Sequence, residues 1–484
     1  MSLTRKIAYN TIIQFIGKIL GTLIGVLTIA IMTRYLGQIG FGQYSTIMAY
    51  LQLFAILVDM GLSLTVIKLI SDPSLEKGRA MNNIFTFRFF SALIFLGLAP
   101  LVVIFFPYSN IVKFGIAIAS LSFFISSLNQ ILISLFQKEL KLNGVAISEV
   151  AGRLILLFLV AYFAFADKGL IAIVWAVVLG SLTNFILNYL FALKFVKIKF
   201  AFDWQIWKKI FYITWPLALS IALNLVYFKA DTLILSLTRS QAEVGIYNAP
   251  YRVLEILVNF IYLFVGIIFP ILTAAWIEKN YDRFKDIFQK TFDILLIISL
   301  PMVFGTLFVA KKLMLLIAGS EFSASGDVLK IIIVATGIIF INSLFGYTIV
   351  TLDKQRKMVW AYVFVALISL IGYLITIPKY GYYGAAVFTV ISEAMILIFN
   401  LIVTVKTIKF WPNLAIIPKT ILASAFMCLG LYFLANLNVI LQIILASIIY
   451  LIFIYLFKGF SREFVQEILR TKARPELPSI DNSL

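Results

Sequence analysis

The amino-acid sequence predicts an all-α integral membrane protein, and three observations support this fold class. Hydrophobic residues make up 62% of the 484 residues and charged residues 13%, well below the roughly 25% typical of soluble domains. Apolar segments of about 20 residues or more, long enough to cross a bilayer, follow one another with short connections. Lys and Arg are distributed unevenly between alternate connections. The sequence therefore predicts one membrane domain of about fourteen transmembrane helices.

The apolar segments define the predicted helices. They are too long and too uniformly apolar for barrel strands, which read as alternating segments of about 10 residues. None of the connections is long enough to hold a soluble domain. The predicted spans are 11–33, 41–68, 84–106, 112–136, 145–166, 169–193, 210–238, 243–276, 288–310, 327–352, 357–377, 381–405, 416–435 and 438–458.

The distribution of basic residues predicts the orientation. An even number of spans places both termini on one side of the membrane, and the positive-inside rule assigns that side to the cytoplasm. With this assignment, 28 Lys and Arg lie on the cytoplasmic side, 8 on the outer side, and the remaining 4 of the 40 inside spans. Arg88 and Asp293, near the predicted inner surface, are interpreted as topological charges. The net charge of +18 is thus attributed to topology, and no nucleic-acid partner is expected.

Missing residue types exclude several functional classes. The chain has no histidine and a single cysteine, Cys428, which rules out histidine-based catalysis, histidine metal sites and an intramolecular disulfide. It also lacks the G-x-x-x-x-G-K-[ST] motif of ATP-driven transport. We predict a transporter rather than an enzyme, with no catalytic residues, no metal site and no cofactor.

Two segments resemble each other at a separation of six spans. Gly42 and Tyr44 correspond to Gly245 and Tyr247 at an offset of 203, and each segment follows a Thr-Arg pair. Two similar helix starts could arise by chance, but parallel six-span repeats are a known transporter architecture. We predict two six-helix bundles related by a pseudo-twofold repeat, followed by two more helices and a tail. The corresponding ranges are 1–200, 201–410, 411–460 and, for the cytoplasmic tail, 461–484.

Charged residues inside the predicted spans indicate a water-filled cavity within the bundle. Each would cost a few kcal/mol or more if it faced lipid. These residues are Lys18, Asp59, Arg153, Lys229, Asp231, Arg252, Glu255 and Glu393.

Polar residues also share helix faces, since residues three, four and seven apart lie on one side of a helix. Five such faces combine Gln14 with Lys18, Gln52 with Asp59, Asn224 with Asp231, Asn248 with Arg252 and Glu255, and Thr389 with Glu393 and Asn400. Beside the first of these faces, Gly17, Gly21 and Gly25 have the small-xxx-small spacing that predicts close helix packing.

Two roles remain open for several of the basic residues. Lys18 either faces the lumen or extends its ammonium group to the cytoplasmic interface. Arg252 and Glu255 are three residues apart, and Glu149 and Arg153 four apart, so each couple can form a structural ion pair and can also line a cavity.

The acidic residues have similar alternatives. Asp59 either carries a coupling proton or only bonds Ser63. Glu393 has similar alternatives, a coupling proton or a purely local bond. Lys229 and Asp231 are two residues apart, so they are expected to point to different helix faces.

Several motifs occur in a recognisable order. In the first half they are Arg5, Asn10-Thr11, Thr33-Arg34-Tyr35-Leu36-Gly37, Phe41-Gly42-Gln43-Tyr44-Ser45 and Asp59-Met60-Gly61-Leu62. In the second half they are Trp215-Pro216, Asp231, Val244-Gly245-Ile246-Tyr247, Arg252 and Phe269-Pro270. Together they resemble polysaccharide repeat-unit flippases of the Wzx type, within the multidrug/oligosaccharidyl-lipid/polysaccharide exporter superfamily. The resemblance covers nearly the whole chain, although the last two spans match only in hydropathy.

This resemblance implies a V-shaped central cavity that moves a polyprenyl-diphosphate-linked oligosaccharide from the cytoplasmic to the outer leaflet. It also implies a cation-rich lumen, which agrees with the chemistry because Arg makes bidentate contacts to phosphate and Lys supplies a point charge. The predicted substrate-binding lumen comprises Lys18, Arg252, Arg153, Asn248, Asn224 and Gln52.

The resemblance further implies transport driven by an ion gradient, with a proton or sodium ion as the coupling ion. The ion-coupling candidates are Asp59, Asp231, Glu255 and Glu393. Expected partners are the lipid-linked oligosaccharide, membrane lipid and a polysaccharide polymerase. The expected location is the plasma membrane of a bacterium or archaeon, with both termini cytoplasmic.

Two competing functions are weighed against this one. A drug or cation antiporter, or a peptidoglycan-precursor flippase, would belong to the same superfamily, but an antiporter for cationic drugs favours an acidic lumen. A membrane-embedded polymerase or ligase would need a large outer loop, and the longest here is about 16 residues by the predicted spans.

Overall fold

The described part of the chain consists of helices joined by short connections. A computed structural model describes residues 3–59, 61–70 and 76–459, without the side chains of residues 3–12, 63, 64, 68 and 215–228. The α-helices are α1 (Leu3–Asp59), α2 (Leu62–Ile70), α3 (Lys77–Val102), α4 (Asn110–Lys138), α5 (Asn143–Phe165), α6 (Gly169–Ala192), α7 (Trp204–Thr238), α8 (Gln241–Ile277), α9 (Tyr281–Ala318), α10 (Ser323–Thr351), α11 (Gln355–Ile408), α12 (Ile416–Phe433) and α13 (Val439–Leu456). The predicted tail at 461–484 lies outside the described residues.

The number of membrane crossings agrees with the sequence. Among the described residues, 11 helices are long and apolar enough to span a bilayer. Two of them, α1 with 57 residues and α11 with 54, bend at Gly37 and Gly381, where φ is +63° and +56°. Each bend separates two predicted spans, so both helices can cross twice. Counting both arms of these helices and the 35-residue α7 gives the fourteen crossings that were predicted.

One predicted span is not continuous. The segment 41–68 is divided because α1 ends at Asp59 and α2 begins at Leu62. Gly61 lies in this break with φ at +75°, a left-handed conformation that glycine adopts without the steric cost of a side chain. The sequence did not predict this turn, because the segment is apolar throughout and hydropathy does not indicate a local change in backbone direction.

The apolar cores lie mainly within the two halves of the chain. The helices from the second arm of α1 to α6 bury residues such as Ile47, Leu96 and Val174. In the second half, α8 to α11 form a further core, against which α12 and α13 pack through Met427 and Ile454. Separate cores are the packing expected of two bundles, whose repeat relation remains a prediction.

The two halves meet where α1 crosses α8 at Gly42 and Gly245, here called the glycine crossing. A Cβ atom on Gly42 would lie 1.7 Å from the carbonyl oxygen of Gln241, and one on Gly245 would lie 2.1 Å from that of Gln38. The backbones approach this closely only because neither position carries a side chain. Gln38 and Gln241 are separated by the same offset of 203 as the two glycines, so the contact is reciprocal.

Side-chain contacts surround the glycine crossing. Thr46 donates a hydrogen bond to the side-chain oxygen of Gln241 at 2.8 Å. The buried ring of Phe41 meets that of Phe322 edge-on, with centroids 6.0 Å apart. These contacts close this end of the molecule between the two halves.

The Thr-Arg pairs that precede the two glycines have equivalent roles. Arg34 donates to the carbonyl oxygens of Leu316 and Ile317, in the last turn of α9. Arg239 donates to those of Ile377 and Pro378, at the end of the first arm of α11. A guanidinium group stabilises these positions because the last carbonyls of a helix are unpaired and carry partial negative charge.

The connection between α6 and α7 is held against α3. The backbone N–H groups of Ala201 and Asp203 donate to the side chains of Thr86 and Asn83, at 2.9 and 2.8 Å. Asp203 caps α7 by accepting from the N–H groups of Gln205 and Ile206.

Asp203 also forms an ion pair with Arg79 on α3. The hydrogen bond from Arg79 is the main reason why the pKa of the Asp203 carboxyl lies below its usual range.

Substitution Gly42→Ala tests the glycine crossing. The added methyl group forces the two helix backbones apart, and overpacking of this kind costs about 1–3 kcal/mol. We expect a lower unfolding midpoint for the purified variant, measured by thermal denaturation in detergent. Gly97→Ala in α3 is the control, because a Cβ there has no neighbour within 4 Å and alanine favours the helix. Equal midpoints for the two variants would contradict the close approach.

Candidate substrate cavity and charged sites within the membrane

The N-terminal half contains a polar cavity of about 490 Å³. Its walls come from the first arm of α1 and from α4, α5 and α6, with Leu263 of α8 at one edge. Lys18 and Arg153, both predicted as substrate-binding residues, line this one cavity. The volume lies within the range of about 300–1,000 Å³ in which proteins bind small organic ligands.

Arg153 is held along α1 by three hydrogen bonds. Its guanidinium donates to Glu149 at 2.9 and 3.2 Å and to the carbonyl oxygen of Gly21 at 3.1 Å. A Cβ on Gly21 would lie 3.0 Å from the Arg153 side chain, and one on Gly17 would lie 3.0 Å from Ala146. The small-xxx-small stripe thus packs closely against α5, as predicted. The Glu149–Arg153 pair is an ion pair and a cavity wall at once.

Lys18 lies between this cavity and a smaller one. The smaller cavity, of about 120 Å³, is lined by the first arm of α1 and by α8, including Asn259 and Phe260. Among the described side chains, Lys18 has no carboxylate within ion-pair distance. Its ammonium group is therefore free to meet an anionic ligand.

Two cations share one carboxylate in the C-terminal half. Glu255 accepts from Lys229 and from Arg252, each at 2.7 Å. Lys229 also lies over the ring of Tyr251, 5.2 Å from its centroid. The three charged side chains are only partly exposed, and they leave one excess positive charge.

Asp231 lies on a different side of α7 from Lys229, as the sequence predicts. It is fully buried, and its oxygens accept from the hydroxyl of Tyr247 and the backbone N–H of Thr232, each at 2.5 Å. The Tyr247 hydroxyl also contacts Thr389 at 3.2 Å. Asp231 therefore belongs to a buried polar network that links α7, α8 and α11.

Glu393 is the most isolated of the buried carboxyl groups in the described part of the chain. Its side chain is 3% exposed, and no hydrogen bond or ion pair joins it to another described side chain. Four tyrosines are near enough to interact with it electrostatically: Tyr251, Tyr262, Tyr362 and Tyr373. Burial without a partner is costly for an ionised carboxylate, which makes Glu393 a candidate for ion coupling.

Asp59 is paired with Arg88, which the sequence had assigned to topology. Arg88 is 1% exposed and donates to Asp59 at 2.6 Å and to the carbonyl oxygen of Val58 at 2.9 Å. Arg88 thus bonds both the Asp59 carboxylate and the Val58 carbonyl oxygen, which lie where α1 ends. The position of Arg88 in the helix could have indicated its burial, because Arg88 lies about three turns after α3 begins at Lys77.

Among the other predicted lumen residues with described side chains, Arg252, Asn248 and Gln52 do not line these cavities. Asn248 is 7% exposed and donates to the carbonyl oxygen of Val244. The side-chain oxygen of Gln52 is buried without a hydrogen-bond partner. The side chains of Asn224 and Ser63 lie outside the described residues. Asp293 accepts from Gln289 at 2.8 Å.

Within residues 3–59, 61–70 and 76–459, no group of three or more His, Cys, Asp or Glu side chains is arranged to hold a metal ion.

The fold and the buried charges define the class of protein as a multi-pass membrane protein with a transporter fold. The structure matches a lipid II flippase MurJ in an inward closed conformation, with a TM-score of 0.77 and 16% identity, over 96% of this chain and 100% of the other. It also matches an inward-facing multidrug resistance MATE family transporter of the MOP superfamily, with a TM-score of 0.66 and 14% identity, over 82% and 98% of the two chains.

Sequence comparison gives the family. A profile of a polysaccharide biosynthesis protein family matches residues 31–327, more than half of the chain, and the protein belongs to that family. The capsular polysaccharide biosynthesis protein CapF of Staphylococcus aureus is 26% identical over 289 residues, 58% of this chain and 72% of that protein. The probable low-salt glycan biosynthesis flippase Agl15 of Haloferax volcanii is 26% identical over 170 residues, 35% of this chain and 36% of that protein.

These matches confirm the family resemblance that the motifs indicated. The relatives and structural neighbours are named as biosynthesis proteins, flippases and transporters, in agreement with the prediction of a transporter rather than an enzyme.

Substitution of two arginines on α3 tests the role of Arg88. Arg88→Leu leaves Asp59 partly buried without its cation, and breaking such a pair costs about 3–5 kcal/mol. Arg79→Leu is the matched control, because Arg79 pairs with Asp203 at the surface, where an ion pair contributes about 0–1 kcal/mol. We expect the unfolding midpoint to fall much further for Arg88→Leu. A similar fall in both variants would contradict a structural role of the buried pair.

Proposed function

We propose that this protein is a flippase that moves a polyprenyl-diphosphate-linked oligosaccharide repeat unit from the cytoplasmic to the outer leaflet, for the synthesis of a surface polysaccharide. The observation that carries this proposal is the cavity with Lys18 and Arg153 inside the membrane domain of a polysaccharide biosynthesis protein. The names of the capsular polysaccharide and glycan-flippase relatives support the same class of substrate.

The charges of the site suit a diphosphate head group. Lys18 is a cation without an acidic partner among the described side chains, and the Lys229–Glu255–Arg252 cluster carries one excess positive charge. Ionised donors make the strongest hydrogen bonds to phosphate oxygens. A head group that passes between the two halves would meet positive charge on both sides, while its polyprenyl chain remains in lipid.

The proposed movement is a rocking of residues 1–200 against residues 201–410. The glycine crossing joins the two halves at one end of the molecule, and the polar cavity lies among the first halves of α1 and α5, the last half of α4 and the middle of α6. If the termini lie in the cytoplasm, as the distribution of basic residues favours, the glycine crossing lies at the outer end. The structure then corresponds to a state that is closed on the outer side. Opening of the glycine crossing would release the repeat unit to the outer leaflet, where a polymerase would consume it.

The buried carboxylates are proposed to couple transport to a gradient of protons or sodium ions. Asp59 and Glu255 already have cationic partners, at 2.6 and 2.7 Å. Asp231 accepts two hydrogen bonds, whereas Glu393 has no partner in the described part of the chain. Glu393 therefore fits a carboxyl group that is buried in its neutral, protonated form.

Deletion of the gene in its native host tests the proposed function. We expect loss of surface polysaccharide and accumulation of lipid-linked repeat units on the cytoplasmic leaflet, measured with a membrane-impermeant probe. Normal polysaccharide with altered sensitivity to drugs or cations would instead favour an antiporter. Repeat units that accumulate on the outer leaflet would favour a polymerase or ligase.

Complementation with variants of two predicted substrate-binding residues, Lys18 in the cavity and Arg252 in the charged cluster of the C-terminal half, tests the proposed path. Lys18→Ala and Arg252→Ala each remove a charge that faces the proposed path, so we expect polysaccharide production to fall at least tenfold, about 1.4 kcal/mol. Arg356→Ala and Lys357→Ala, at the exposed start of α11, are controls at matched expression. Full activity of both Lys18→Ala and Arg252→Ala would contradict the proposed path.

Substitution Glu393→Gln tests coupling. Glutamine has nearly the same shape but cannot exchange a proton, so gradient-driven flipping in proteoliposomes should lose its dependence on the proton gradient. Asp286→Asn is the control, because Asp286 forms an exposed ion pair with Lys290. Unchanged proton dependence in Glu393→Gln would remove this residue from the coupling mechanism.

A further inference from the structure

Three asparagines form a cluster in the wall of the N-terminal cavity, here called the asparagine cluster. The fully buried Asn188 on α6 donates to the side-chain oxygens of Asn129 on α4, at 2.9 Å, and of Asn184, at 3.0 Å. Both N–H groups of Asn188 are therefore used within the protein. Sequence analysis did not identify these residues, because they carry no charge and the candidate sites were chosen around charged residues.

The cluster orients two amide groups toward the cavity. The oxygens of Asn129 and Asn184 are occupied by Asn188, so their NH₂ groups are the parts left to bind a ligand. Asn129 is 6% exposed, and both residues line the 490 Å³ cavity. Neither NH₂ group has a protein acceptor in the described part of the chain. Within the cluster, the buried polar atom without a partner is the side-chain oxygen of Asn188. The two NH₂ groups are not fully buried, so a ligand in the cavity can supply their acceptor oxygens.

The neighbouring charges indicate what kind of acceptor fits. Arg153 lies in the same cavity, but its guanidinium is already bonded to Glu149 and Gly21. Lys18 is on the side of the cavity that borders α8, where the diphosphate is proposed to pass. The donors that remain at the asparagine cluster are neutral amides. Neutral donors suit a neutral carbonyl oxygen, whereas a carboxylate would need a cation to offset its desolvation.

We infer that the asparagine cluster is a sugar-binding subsite that recognises an acetamido sugar next to the diphosphate of the lipid-linked substrate. This inference rests on the proposed function. The acetamido carbonyl accepts from the NH₂ groups of Asn129 and Asn184, while Asn188 holds both amides in the orientation that donates. Lys18 binds the diphosphate of the same molecule. Specificity follows because a buried site built to donate hydrogen bonds disfavours a sugar that lacks the acceptor.

Binding of three lipids by the purified full-length protein in nanodiscs tests the subsite. The probes are undecaprenyl diphosphate, the same lipid linked to N-acetylglucosamine, and the same lipid linked to glucose. The wild-type protein should bind the N-acetylglucosamine lipid about tenfold more tightly than either other lipid. This ratio corresponds to the net free energy of two additional hydrogen bonds. Asn184→Leu and Asn129→Leu should lose most of this preference and retain the affinity for undecaprenyl diphosphate.

A control and a second variant keep the outcomes distinct. Thr183→Val lies on the same helix, where Thr183 bonds only its own helix carbonyl at Leu179, and it should keep the preference. If Asn129→Leu does not fold, the partly buried Asn184→Leu still decides. A preference that persists in the Leu variants, or that is absent in the wild-type protein, overturns the subsite alone. Failure of the wild-type protein to bind undecaprenyl diphosphate in any form overturns the proposed function as well.

Discussion

The close approach of α1 and α8 at Gly42 and Gly245 is the contact on which the arrangement of the two halves depends. Side chains at these positions would overlap backbone atoms of the opposite helix, so the helices approach this closely only because both residues are glycine. Two arginines that precede these glycines in the chain, Arg34 and Arg239, donate to carbonyl oxygens at helix ends next to this contact. One end of the molecule is thus held together by backbone packing, and polar groups gather in the cavities between the helices toward the other end.

The intramembrane charges fall into two groups according to their partners. In one group the charge is neutralised locally, as in the Arg88–Asp59 and Arg153–Glu149 pairs. In the other, a charged or ionisable group lacks a matching partner among the described residues, as for Lys18 and Glu393. A bilayer makes unpaired polar groups expensive. The unpaired groups are therefore the ones best explained by an anionic substrate or an exchangeable ion, whereas the paired ones also have a structural explanation.

The sequence predicted the features that depend on composition and period. Span number, the family and the packing of Gly17 and Gly21 against α5 all follow from hydropathy, motif order or residue spacing. The break at Gly61 and the burial of Arg88 did not follow, because both depend on how one helix end meets a neighbouring helix. The asparagine cluster was missed because its members carry no charge and because sequence alone does not show that they meet. Its members on α4 and α6 are about 55–59 residues apart in the chain and are joined only by the fold.

Restriction of the glycine crossing tests the central claim, that transport requires the two halves to separate there. Thr46 and Gln241, which face each other across the crossing, would be replaced by cysteines in a Cys428→Ser background and joined by a short thiol-cleavable linker. Flipping of undecaprenyl-diphosphate-linked N-acetylglucosamine would then be measured in proteoliposomes. The account predicts no flipping with the linker intact and recovery after reduction. Equal flipping rates in the linked and reduced protein would contradict it.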